Sequence, residues 1–69
     1  MAKTFKMITL VGTSPKSVED AVNTALADAS GSVRNLGWFE VKEVRGRIDG
    51  GKVAEFQVTV QVGFKVEND

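Results

Sequence analysis

The chain has 69 residues, with nine Lys and Arg against nine Asp and Glu and neither cysteine nor histidine. A domain this small buries only about 60% of the surface its unfolded chain exposes; with disulfides and the common soft-metal ligands unavailable, self-association is the remaining route to stability. Zero net charge removes the basic excess that drives nucleic-acid binding, and no run approaches the roughly 20 apolar residues of a membrane span, so the expectation is one cytoplasmic domain over residues 1–69 with no nucleic-acid or membrane partner.

The opening MAKTFKMITLVGTS carries lysines, but its apolar stretch is short, broken by threonine and without a small-residue cleavage site, so no leader is expected. Within it, residues 4–11 are β-branched and apolar enough to predict a strand, ended by Gly12 and Thr13. Ser14 followed by Pro15 reads as an N-cap with proline at the first helical position, and Glu19 and Asp20 put negative charge at the positive helix end. Val18, Ala21, Val22, Ala25, Leu26, Ala29 and Val33 recur on one helical face, which predicts an amphipathic helix over 15–34 with a thin stripe of small residues. Gly31 is expected to bend or fray its last turns.

The second strand is predicted over 38–48, where the apolar phase changes: Phe39 and Val41 sit at odd positions, Val44 and Ile48 at even ones. A β-bulge near Lys42 and Glu43 would bring all four to one face, behind the helix, and leave Trp38 on the other. Asp49, Gly50 and Gly51 supply the positive-φ residues of a tight hairpin turn. In the third strand Phe56, Val58, Val60, Val62, Phe64 and Val66 alternate with Glu55, Gln57, Thr59, Gln61, Gly63 and Lys65, one face apolar and one polar. The polar end, Glu67 to Asp69, is expected to be loose. The order strand, helix, strand, strand gives an α+β unit, one helix packed on a three-stranded antiparallel sheet, and a right-handed crossover predicts the spatial order 1-3-2.

One thin helix cannot cover three strands. Phe5, Met7, Trp38 and the open sheet edges need partners, and copies of the same chain are the expected ones. Trp38 and Gln57 do not fall opposite each other in one ladder, but a bulge and a neighbouring subunit would bring them together. Together they offer a flat aromatic surface and an amide, which suit a planar heterocycle with polar edges.

The runs LVGTSPKSVEDAV, NLGWFEVKEVRGRI and EFQVTVQVGFKVE resemble the dodecin family, small flavin-binding proteins that assemble as hollow symmetric dodecamers. The resemblance implies that Trp38 stacks on the flavin ring and quenches its excited state, that Gly37 lets backbone approach the ligand, and that Gln57 hydrogen-bonds the pyrimidine edge. It implies that Arg45, with Arg47 beside it, holds a phosphate, favouring flavin mononucleotide (FMN) over riboflavin. Some members also hold coenzyme A on the outer surface, for which Lys3, Lys6, Ser32, Arg34 and Lys65 are the candidates here. Taken without the resemblance, Trp38 also reads as an interface anchor, Gln57 as a solvated strand residue, the arginines as solvated or paired with Glu40 or Glu43, and the scattered lysines as ordinary surface.

No histidine, cysteine or tyrosine is present, which removes the usual nucleophiles and the base tuned nearest neutrality. Glu19 with Asp20 and Glu40 with Glu43 have plainer helix-end and ion-pair roles, and Gly50 and Gly51 sit in a hairpin instead of before a helix. The expected function is therefore flavin storage and sequestration with photoprotection, not catalysis. The alternative is a self-assembling scaffold domain with another ligand or none. A single-stranded RNA platform is disfavoured by the zero net charge and the lone tryptophan.

Overall fold

The structure, a computed structural model, describes residues 2–67. It comprises β1 (Phe5–Ser14), α1 (Val18–Ser30), β2 (Leu36–Asp49) and β3 (Lys52–Lys65). The strands form one antiparallel sheet in the order β1-β3-β2, as the crossover rule predicts: α1 carries the chain past one strand position, and β3 returns through the gap. Central β3 buries Val58, Val60 and Val62 against Ala21, Val22 and Ala25 of α1, with Ile8, Leu10, Val18, Leu26, Leu36 and Phe56 packed around them. Small helix residues let the two backbones lie close, which accounts for the thin stripe read in the sequence.

That close approach corrects the expected end of the first strand. β1 runs on through Gly12 and Thr13 to Ser14, because Gly12 is a contact point and not a stop. A Cβ there would strike the Ala21 carbonyl and lie 2.9 Å from the Ala25 Cβ. The helix start is also corrected. Ser17, not Ser14, is the N-cap, and its hydroxyl accepts the Asp20 N–H at 2.9 Å. Ser14 instead shapes the turn before it: its Oγ accepts from the amides of Lys16 at 2.9 Å and Ser17 at 3.4 Å and donates to Asp20 Oδ2 at 2.6 Å. Pro15 therefore lies in a turn, outside the helix. Glu19 and Asp20 do occupy the first helical turn.

The helix stops at Ser30, with Gly31 as its C-cap, instead of reaching residue 34. The amides of Ser32 and Val33 close on the Ala29 carbonyl at 3.2 and 2.8 Å, satisfying the helix end. Asn35 then adopts φ 64°, a left-handed turn that asparagine tolerates, and feeds the chain into β2 two residues earlier than predicted.

The bulge at Lys42 is present: Val41 pairs with Val60, and the next pair is Glu43 with Thr59. Phe39, Val41 and Val44 accordingly sit opposite Val62, Val60 and Val58, on the helix side of the sheet. They do not join the core as expected, being 47%, 44% and 51% exposed. The reason is position: β2 is an edge strand, and α1 packs on β1 and β3. Ile48 lies past the third register shift of β2, between Arg47 and Ile48, is paired with Val53, and is 73% exposed. In the hairpin turn Gly50 and Gly51 take φ 59° and 77°, the two positive-φ positions of a two-residue turn. Asp49 instead closes the ladder opposite Lys52. Asn68 and Asp69 lie outside the described residues, while Glu67 pairs with Arg34 at 3.4 Å. Among the described residues no helix is long and apolar enough to cross a membrane.

Candidate functional site

Among the described residues no element covers the face of the sheet away from α1. Its rows follow from the register: Met7, Gly63 and Trp38; Thr9, Gln61 and Glu40; Val11, Thr59 and Glu43; Thr13, Gln57 and Arg45. One end is apolar and the other is polar, so the face has two chemically distinct halves.

At the apolar end the indole of Trp38 lies over Gly63. A Cβ placed on Gly63 would be 2.5 and 2.6 Å from the indole Cε2 and Cη2. Near-equal distances to atoms of one ring mean that the atom would point into the ring face, so the indole rests flat on the Gly63 backbone. Phe5 closes its side in an edge-on pair, with ring centroids 4.9 Å apart and planes at 63°. Phe5, Met7 and Trp38 are each about two-fifths exposed, at 41%, 41% and 43%, as expected of an unpartnered face. One indole face is thus occupied by backbone, and the outer face is free to stack.

At the polar end Arg45 Nε donates to Gln57 Oε1 at 3.0 Å, and Gln57 Nε2 donates to Glu55 Oε1 at 3.1 Å. Arg45 is therefore tied to an amide and not to Glu40 or Glu43. Arg47, opposite Glu55, extends the positive charge by one more row. Gln57 and the Trp38 partner Gly63 are six residues apart on β3, roughly 20 Å. The structure places Trp38 and Gln57 on one face but does not bring them together within the chain.

Gly37 needs no close approach within the chain: a Cβ there would meet the Gly63 carbonyl at 3.6 Å and Phe5 Cε1 at 4.0 Å, ordinary contacts. Its position in a register shift between Leu36 and Trp38 instead sets which face Trp38 takes. On the helix side, a groove of about 450 Å³ runs between α1 and β2, lined by Asn23, Leu26, Ser30, Leu36 and Phe39 among others. Of the residues expected for coenzyme A, Lys6, Ser32, Arg34 and Lys65 converge on a groove of about 310 Å³ that Glu67 also lines. Lys3 does not line that groove. Among the described residues no three acidic, histidine or cysteine side chains gather as metal ligands would.

Gly63 and Glu55 were not singled out in the sequence. The signal for Gly63 was a glycine interrupting the polar series of the third strand; only the register shows that the tryptophan occupies the space it leaves. Glu55 carries no distinguishing pattern before Gln57 is seen to bond to it.

The dodecin family model matches residues 4–67. The chain belongs to the dodecin family. A curated dodecin of Thermus thermophilus is 49% identical over 67 residues, covering 97% of both chains. A Thermus thermophilus crystal structure superposes with a TM-score of 0.95 at 47% identity, covering 99% of this chain and 100% of that one. The dodecin of Streptomyces coelicolor gives a TM-score of 0.92 at 45% identity, over 97% and 96% of the two chains. The β-α-β-β unit described above is thus the dodecin fold, and dodecins are in general small flavin-binding proteins that assemble as dodecamers.

Proposed function

We propose that this chain, as one unit spanning residues 1–69, binds, stores and sequesters flavin inside a homododecameric shell. The observation that carries this reading is the seat of Trp38. Its inner face lies on Gly63 with Phe5 at its edge, so the outer face is a fixed, exposed aromatic platform on a side of the sheet that no element among the described residues covers. Stacking an isoalloxazine on an indole buries apolar area on both rings, and close contact between the rings allows electron transfer that quenches the flavin excited state, the basis of photoprotection. Gln57, on the same face but distant within one chain, meets the stacked ring from a neighbouring subunit and hydrogen-bonds its pyrimidine edge. Gly37 keeps the entrance beside Trp38 free of side chain.

Arg45 keeps its Nη groups beyond the bond to Gln57, and Arg47 lies one row on. Together they supply the cationic pair for a phosphate, which favours FMN over riboflavin. Lys6, Ser32, Arg34 and Lys65 around their groove, with Lys3 nearby in sequence, suit the phosphates of coenzyme A. A ring held between tryptophans and a second flavin leaves no face for a substrate, so the role is storage and not catalysis.

The test is a titration of FMN with purified protein, read by flavin fluorescence, alongside sizing of the same sample. Wild-type protein is expected to remove most of the emission and to elute as a large oligomer, whereas Trp38→Ala leaves the emission unchanged. Undiminished fluorescence with micromolar wild-type protein would end the flavin reading.

A further inference from the structure

We infer that Arg45 and Glu55 act as positioning residues that fix the orientation of the Gln57 amide, and thereby make this site selective for a planar ring with an adjoining N–H and C=O on its edge. The inference rests on the flavin-binding reading and specifies how the ring edge is chosen.

A glutamine amide can be turned end for end, exchanging its oxygen and its NH2, at little cost unless neighbours distinguish them. Here they do. The Arg45 guanidinium has donors only, and the Glu55 carboxylate has acceptors only. Arg45 Nε lies 3.0 Å from one end of the amide and Glu55 Oε1 3.1 Å from the other. Only the orientation with Oε1 toward Arg45 and Nε2 toward Glu55 satisfies both; the reverse would set N–H against N–H and oxygen against carboxylate. Both contacts join the amide to an ionised group, which strengthens them relative to bonds between neutral groups, and both have ordinary hydrogen-bond lengths.

The consequence lies in what remains. Oxygen offers two acceptor positions and NH2 two donors; Arg45 takes one and Glu55 takes one. Gln57 therefore presents one acceptor and one donor in a fixed order, the complement of a ring edge that donates through N–H and accepts through an adjacent carbonyl. In flavins that edge is N3–H with its flanking carbonyls. An amide free to turn could adapt to edges of either order, whereas a held one cannot.

The probe is a pair of ligands, riboflavin and N3-methylriboflavin, which share the stacking surface and differ at the edge. Neither carries a phosphate, so a direct charge contact from Arg45 to phosphate does not enter. Both are titrated by fluorescence quenching against wild type, Arg45→Ala and Glu55→Ala, with sizing of each sample. Wild type is expected to prefer riboflavin by roughly tenfold or more, the scale of a hydrogen bond to a buried group left unmade. In each variant the preference is expected to shrink to about threefold or less; in Glu55→Ala, whose residue has no other part in binding, saturating quenching, which Trp38 provides, stays complete. Should Arg45→Ala fail to assemble, Glu55→Ala carries the same comparison. Wild-type preference retained in both assembled variants overturns the inference. Failure of wild type to bind riboflavin at all is a different result and overturns the flavin reading itself.

Discussion

The Trp38 indole and Gly63 form a seat: the ring lies flat on the glycine backbone directly across the β2–β3 ladder. The height of the aromatic platform above the sheet is therefore set by a side chain that position 63 lacks.

Gly63→Ala tests that relationship. The new Cβ would enter the ring face, and because the indole is the free end of a rotatable side chain it swings away while the backbone stays. The expected outcome is retained assembly, an altered near-ultraviolet circular dichroism signal from Trp38, and flavin affinity lower by roughly tenfold, or about 1.4 kcal/mol. Unchanged affinity would show that the seat does not position the ring.

Gly12→Ala should cost far more than its size suggests. Its Cβ would meet the Ala21 carbonyl and the Ala25 Cβ, parts of a helix backbone that cannot rotate away. Overpacking of this kind costs about 2–3 kcal/mol, which lowers Tm by roughly 15–20 °C in a domain of this size. Gly31→Ala is the counterpart. Gly31 has right-handed φ and ψ of −73° and −20° and an alanine Cβ would come no nearer than 3.4 Å, so Tm should hold or rise.

The helix start gives a third prediction. Ser17→Ala removes the cap on Asp20 N and should cost about 1 kcal/mol. Ser14→Ala frees the amides of Lys16 and Ser17 and the Asp20 carboxylate, and should cost at least as much. Thermal melts of the two variants check this; a harmless Ser17→Ala would contradict the assignment of the cap.

Val41→Lys places a charge in the middle of the exposed helix-side flank of β2. Loss of the large oligomer on sizing is expected, since burying an unpaired ammonium at an interface costs several kcal/mol. Assembly indistinguishable from wild type would mean that this flank faces solvent in the oligomer.

Glu67→Gln removes the ion pair to Arg34, whose side chains are 82% and 60% exposed. Exposed pairs are worth at most about 1 kcal/mol, so no resolvable change in Tm is expected. In the reading that gives Arg34 to coenzyme A, the same change should strengthen binding of that ligand, measured by calorimetry, because a competing carboxylate is gone.

Much of the fold was legible in the sequence because it is carried by local patterns. The strict alternation of β3, the thin apolar stripe of α1 and the phase change at Lys42 each encode one element, and the crossover rule orders the strands. What was misread depended on distance. Gly12 looked like a stop because only the packed helix reveals why a side chain is forbidden there. Ser14 and Ser17 are both plausible caps by type, and the carboxylate of Asp20, held by Ser14, decides between their roles. The sequence pattern puts Phe39, Val41 and Val44 on the core face, but alternation reports which face a residue takes, not whether anything covers that face. At the site, Trp38, Gln57 and Arg45 stand out by type, whereas Gly63 and Glu55 acquire meaning only through the register that places them beside Trp38 and Gln57.

The bare flank of β2 has a thermodynamic consequence. Phe39, Val41 and Val44 are half-exposed in the single chain; where assembly covers them, the free energy of that burial belongs to association and follows mass action. The unfolding midpoint of the fold should climb with protein concentration, and dilution alone should act on it as a denaturant does on a monomer.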